Sequence, residues 1–246
     1  CGANGIEFVT ECEVFSILTD SHGSVRGVVG KTGDGHGCFL ARQGVIFGTG
    51  GYAHDPELMR HFQPGPVYGG CSVATGTGDF IRMAGGIGAW IGNTHGAFRA
   101  DSVIEAHIAN PNGMNNMFFI PGDSSILVNK HGKRYVNEKK NYNDRGRAHF
   151  DWDAQRAEWG NMLTFMVFDG RTAEYWPRYL SMPEKGKPLP RQIIAADDLE
   201  GLANGISERL ASMSDMTGGF SLDGDFLQNL GETIERYNGY AERGVD

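Results

Sequence analysis

Gly44-Val45-Ile46-Phe47-Gly48-Thr49-Gly50-Gly51 is an apolar run that stops on small residues. Val45, Ile46 and Phe47 favour a compact extended strand, and the glycines that follow end it. A small residue at a strand end lets the backbone come close to a phosphate, a ribose or a ring system. The same run also serves as a plain turn, so its neighbours decide the reading.

Upstream, Ile6-Glu7-Phe8-Val9 and Cys12 to Leu18 are rich in strand formers. Asp20-Ser21-His22-Gly23 makes a turn and Val25 to Val29 returns, which is a hairpin signal. A polar turn from Lys31 to Gly37 leads into Cys38 to Ala41, so a small antiparallel sheet is expected. Downstream, Asp55 is placed to cap a helix with Pro56 at its first position, running to about Phe62. Gly76 to Ala89 reads as a second helix opened by Thr75-Gly76-Thr77-Gly78-Asp79. Free N–H groups at such a start suit an anion or a polar cofactor edge. Asp79 also fits as a first-turn acid with no ligand at all. No Gly-Lys-Ser/Thr follows, so this is not a P-loop.

Beyond about residue 97 the character changes. Of the 37 glycines, 22 lie in the first 97 residues, and aromatic residues increase after them. We expect two domains, 1–97 and 98–246. Ser125 to Asn129 reads as a strand, Lys130-His131-Gly132-Lys133 as a turn and Arg134-Tyr135-Val136 as the return. Trp152 to Trp159 looks helical and Leu163 to Phe168 extended. Asp197-Asp198-Leu199-Glu200 opens a helix, and Phe226, Leu230, Ile234, Tyr237 and Ala241 mark an amphipathic one. Tyr142 falls just after the hairpin, where a phenol can act as an acid or base or can simply pack as a hydrogen-bonded aromatic.

The bulk numbers exclude several classes. The chain has 246 residues, 40% hydrophobic and 21% charged, which suits a globular core. A net charge of -8 without a basic stripe argues against nucleic acid. No apolar run is long enough for a membrane span. Cys1, Cys12, Cys38 and Cys71 form no paired motif, which fits reduced thiols in a cytoplasm. The eight histidines show no ligand spacing, so no metal is expected.

Taken in order, these stretches resemble the fumarate reductase and 3-ketosteroid dehydrogenase group of FAD-dependent oxidoreductases. The resemblance is carried by Gly5-Ile6-Glu7-Phe8, Glu13-Val14, Asp20 to Val28, Gly44 to Tyr52, Thr77-Gly78-Asp79, Val128 to Glu138 and Glu232 to Asn238. It implies an α/β fold, α+β in the second part: an incomplete FAD-binding domain with a small antiparallel sheet, plus an inserted substrate-capping domain. It implies that Glu13 and Val14 border the adenine of FAD. Thr49, Gly50 and Gly51 then approach the ribose and pyrophosphate, and Thr77, Gly78 and Asp79 the flavin side. The group's Gly-x-Gly-x-x-Gly lies upstream of these pieces and a closing flavin segment downstream. The partners implied are therefore those N- and C-terminal segments of the same parent chain, and this piece alone is expected to hold FAD weakly or not at all.

The resemblance also separates two branches. Fumarate reductases carry an arginine acid where this chain has Tyr142, and Gln-x-His-Pro where it has Phe98-Arg99-Ala100-Asp101. A tyrosine cannot supply the charge that holds a dicarboxylate. The 3-ketosteroid dehydrogenases are similar to this chain in having a tyrosine there. That implies a flavin-dependent dehydrogenase acting next to the ketone of a small apolar substrate, with Tyr142 catalytic. Phe98, Phe118 and Phe119 are then lining residues, although core packing explains them equally well. The alternatives are a dicarboxylate reductase with an altered clamp, or a cofactor-free cap-like binding module.

Overall fold

The structure is a computed structural model that describes residues 5–110, 117, 120, 124–175 and 186–246. The chain divides into two compact units, Cys1–Gln63 with Ser72–Gly96, and Pro64–Cys71 with Ala97–Asp246.

The first unit is built on a three-stranded antiparallel sheet in the order β1-β2-β3, comprising β1 (Glu13–Thr19), β2 (Val25–Thr32) and β3 (Gly35–Leu40). Its first turn is held by Asp20, whose carboxylate accepts the N–H groups of His22 and Ser24, each at 2.9 Å. A short polar side chain satisfies the turn's own donors in this way. Helix α1 (Pro56–Phe62) starts as expected, with Asp55 accepting from the N–H groups of Glu57 and Leu58. Helix α2 (Asp79–Gly86) is shorter than its pattern suggests, because Gly78 before it is left-handed and Ile87 follows its last glycines. Arg82 of α2 reaches Asp55 at 2.7 Å and Glu57 at 2.8 Å, tying the two helix starts together.

The strand expected at 44–47 is not formed. The segment has no paired neighbour among the described residues, and Ile46 is 97% exposed. A single strand cannot satisfy its own N–H and C=O groups, so apolar composition alone does not make one.

The second unit has its core around β4 (Ser125–Val128), buried along its whole length. Its partner is β5 (Phe165–Phe168), antiparallel, with Ser125 opposite Phe168 and Val128 opposite Phe165. The expected return strand at 134–136 is reduced to one bridge between Val128 and Arg134. Ile126 and Val128 pack with Ile206 and Leu210 of α6 (Leu199–Ser212) and with Phe226 and Leu230 of α8 (Phe226–Arg243). Asp198 caps α6 by accepting the N–H of Gly201 at 2.7 Å. Trp152 to Trp159 is not helical. Asp153 accepts the N–H groups of Gln155 and Arg156, and Asp153 bridges back to Glu158. That local side-chain bonding competes with the helix ladder and wins. The unit also contains the short helices α3 (Ile104–Ala109), α4 (Tyr142–Arg147), α5 (Gly170–Tyr175) and α7 (Ser214–Thr217). Among the described residues no helix is long and apolar enough to cross a membrane.

Two motifs find their reason here. Gly132 has φ +73°, and a Cβ on it would lie 2.3 Å from the carbonyl oxygen of Phe226, so the turn after β4 requires glycine. Thr233 of α8 donates its hydroxyl to the carbonyl of Gly132 at 2.9 Å, and Tyr237 carries the Arg134 guanidinium 5.0 Å from its ring centre. The hairpin motif and the terminal helix motif are therefore one packed structure.

Candidate functional site

In the first unit the two glycine stretches singled out from the sequence are brought together. The N–H of Gly78 donates to the carbonyl of Gly51 at 3.0 Å, and the N–H of His54 donates to that of Gly76 at 3.1 Å. Gly78 has φ +78°, and a Cβ there would meet Leu58 Cδ1 at 2.4 Å and Tyr52 Cβ at 2.9 Å. Thr77 donates its hydroxyl to Asp79 at 3.0 Å, which orients the carboxylate at the start of α2. Thr49 is exposed, and a Cβ on Gly48, Gly50 or Gly51 would meet nothing within 4 Å. The outer side of this double turn is therefore bare backbone, the surface a large polar cofactor needs for close approach. Glu13 and Val14 belong to the same unit, at the start of β1, opposite Lys31 and Gly30. Strand β1 packs against α2. The bare face of the double turn fits the close approach of an extended dinucleotide such as FAD.

In the second unit Tyr142 is not on a loop. It is the first residue of α4, capped by Asn141, whose side chain accepts the N–H of Asn143 at 2.9 Å. Tyr142 is 44% exposed and Phe98 89%. Their two segments are fastened to each other. The N–H of Arg99 donates to the side-chain oxygen of Asn143 at 2.9 Å. Gly146 faces Arg99 so closely that a Cβ would stand 2.7 Å from that of Arg99. The Arg99 guanidinium stacks over Phe150 at 4.4 Å. Phe118 and Phe119 lie outside the described residues.

Beneath this surface is a buried ion cluster that the sequence did not disclose. Arg145 donates through Nε and Nη2 to Asp101 Oδ2 at 3.3 and 3.1 Å. His149 Nε2 lies 2.9 Å from Asp101 Oδ1, and its Nδ1 lies 2.6 Å from the carbonyl of Asn161. Both ring nitrogens face acceptors, an arrangement that favours the imidazolium form. Burial alone pulls the His149 value down, but the hydrogen bond and charge of Asp101 outweigh it and the net direction is up. Burial likewise raises Asp101, and His149 and Arg145 reverse that, holding it below the usual carboxylate value. Burial pushes the phenol of Tyr135 well up; it donates to Thr164 at 3.3 Å and stands edge-on to His149.

Although no histidine spacing pointed to a metal, the fold gathers His131, Glu158 and Asp223, with ligand atoms within 4.8 Å of one another. Both of these carboxylates are already paired with Lys130, whose ammonium lies 2.6 Å from Glu158 and 3.4 Å from Asp223. The cluster ties the turn after β4 to the loop at 153–158 and to the start of α8.

The family model described as "FAD binding domain" matches residues 1–246, so this chain belongs to the FAD-binding domain family of oxidoreductases. It is 33% identical over 230 residues to the 4-oxocyclohexanecarboxylate 2-dehydrogenase of Sinomonas cyclohexanicum, covering 92% of this chain and 36% of that protein. It is 29% identical over 212 residues to the 3-oxosteroid 1-dehydrogenase of Mycolicibacterium smegmatis, covering 84% of this chain and 34% of that protein. Fumarate reductases of Shewanella frigidimarina are more distant relatives. The crystal structure of 3-ketosteroid Δ1-dehydrogenase from Sterolibacterium denitrificans, in complex with 1,4-androstadiene-3,17-dione, superposes with a TM-score of 0.75 at 25% identity. The match covers 95% of this chain and 40% of that one. The chain thus spans about a third of the length of the curated relatives it matches.

Proposed function

We propose that this chain supplies part of the FAD cradle and part of the substrate surface of a dehydrogenase that introduces a double bond next to a ring ketone. Both dehydrogenase relatives are named for oxo-substituted rings, one a cyclohexane carboxylate and one a steroid. When bound, FAD accepts the hydride. Tyr142 takes the proton from the carbon beside the carbonyl, and Phe98 offers an apolar face to the ring. Glu13 and Val14 border the adenine, Thr49, Gly50 and Gly51 the ribose and pyrophosphate, and Thr77, Gly78 and Asp79 the flavin side. On this reading residues 1–97 are a partial FAD-binding domain and 98–246 a substrate domain inserted into it. The N- and C-terminal segments of the same parent chain complete the FAD site. The free thiols Cys12, Cys38 and Cys71 suit a cytoplasmic setting.

The observation that carries the proposal is the fastening of the Phe98 segment to the Tyr142 helix through Arg99 and Asn143. It keeps an exposed aromatic and a half-exposed phenol on adjoining backbone, an apolar face and a proton-handling group as a ring ketone requires. The test is an anaerobic visible spectrum of the complete flavin-loaded protein, mixed with 4-oxocyclohexanecarboxylate or with 4-androstene-3,17-dione. Bleaching of the flavin band by either ketone is expected. Tyr142→Phe should keep its flavin and bleach about 10²- to 10⁴-fold more slowly. Bleaching at the parent rate in that variant overturns the role of Tyr142, and bleaching by neither ketone overturns the substrate class.

A further inference from the structure

We infer that Arg145 is the positioning residue for Tyr142, acting from beneath the site with Asp101 and His149 as its foundation; the inference rests on the reading of Tyr142 as the proton acceptor. No side chain among the described residues holds the Tyr142 hydroxyl, so its location is inherited from the backbone of 138–143. The N–H groups of Lys139 and Lys140 donate to the side chain and carbonyl of Asn137, and the carbonyls of the same stretch are held by one guanidinium. Arg145 Nη1 donates to the carbonyl of Glu138 at 2.8 Å and to that of Lys140 at 2.9 Å, just before Tyr142. The opposite edge of the same guanidinium is fixed by Asp101, and Asp101 by the ring of His149. All three nitrogens of Arg145 are used in fixed directions, at a residue only 7% exposed. A lysine preserves the charge but offers one nitrogen, and cannot span two carbonyls and a carboxylate at once. The arrangement also accounts for Asp101: it engages the guanidinium internally and is not turned to a ligand.

A guanidinium that only stabilises the unit and one that aims Tyr142 differ in how they affect turnover. Misplacing a reacting group by an ångström costs about a hundredfold in rate. The experiment compares Arg145→Lys with the parent as complete flavin-loaded proteins, using the ketone that bleaches the flavin. It reads kcat, KM, flavin per chain and amide hydrogen exchange at 139–143. Expected are a kcat at least about tenfold lower, KM within about threefold, unchanged flavin content and faster exchange confined to 139–143. Should Arg145→Lys fold poorly, Asp101→Asn loosens the fixed edge of the Arg145 guanidinium and is expected to shift kcat and exchange in the same sense. Parent-like exchange at 139–143 overturns the inference. So does a parent-like kcat beside an inactive Tyr142→Phe. Faster exchange with parent-like kcat in both Arg145→Lys and Tyr142→Phe supports the anchoring and overturns only the role of Tyr142.

Discussion

The backbone N–H of Gly78 donates to the carbonyl oxygen of Gly51 at 3.0 Å, joining two turns that the sequence separates by the whole of α1. Gly78 is left-handed and packs against Leu58 and Tyr52 with no room for a methyl group. Gly78→Ala combines a left-handed penalty of about 1–2 kcal/mol with overpacking of about 1–3 kcal/mol. The expected outcome is a lower unfolding midpoint and a lower flavin content in the complete protein. Thermal denaturation together with the ratio of visible to ultraviolet absorbance checks both.

The ion cluster predicts a pH profile. The unfolded values are about 3.9 for an aspartate and about 6.5 for a histidine. Asp101 is lowered in the fold, so its contribution is present above about pH 3.9 and is lost as pH falls through its folded value. His149 is raised, so its contribution is complete below about pH 6.5 and is lost as pH rises through its folded value. Stability should peak between these limits and decline on the alkaline side. Urea midpoints from pH 4 to 9 should show the decline in the parent and a flatter alkaline limb in His149→Gln.

Glu138 should be among the most costly surface-to-core positions to empty. Its carboxylate accepts the N–H of Leu127 at 2.8 Å and Arg134 Nε at 3.0 Å, and its side chain is almost wholly buried. Removing one partner of a buried pair costs about 3–5 kcal/mol. Glu138→Ala should therefore unfold at much lower denaturant than Glu138→Gln, which keeps one acceptor oxygen for the β4 backbone. Equal midpoints for the two variants contradict this account.

The α8 packing gives a control away from the site. Leu230 is fully buried beside Phe226 and Val128. Leu230→Ala should cost about 2–5 kcal/mol through the lost burial and the cavity left behind. Its kcat at a temperature where it is folded should match the parent, unlike Arg145→Lys.

Elements with strong local signals were legible from the residues. The Asp20 turn, the Asp55 and Asp198 caps and the 3.6-residue pattern of α8 each carry their own chemistry. Helices α3, α4 and α5 were not legible, because six residues hold too few turns to show a period. The pairing of β4 with β5 was hidden for another reason: register between distant segments leaves no local trace. The site divides the same way. Both glycine turns stood out by residue type and order, whereas Tyr142 was singled out as catalytic only through the family resemblance. Asp101 did not stand out, because its partners Arg145 and His149 lie 44 and 48 positions away and only folding brings them to it.

The fastening of Phe98 to α4 has an evolutionary consequence. The peptide at 98–99 is immobilised by Asn143, while the side chain at 98 protrudes almost entirely free. A position with a fixed backbone and an unconstrained side chain can drift through mutation without disturbing its neighbours. Residue 98 can therefore change across a lineage while the α4 helix and the Asp101 cluster beside it are inherited intact.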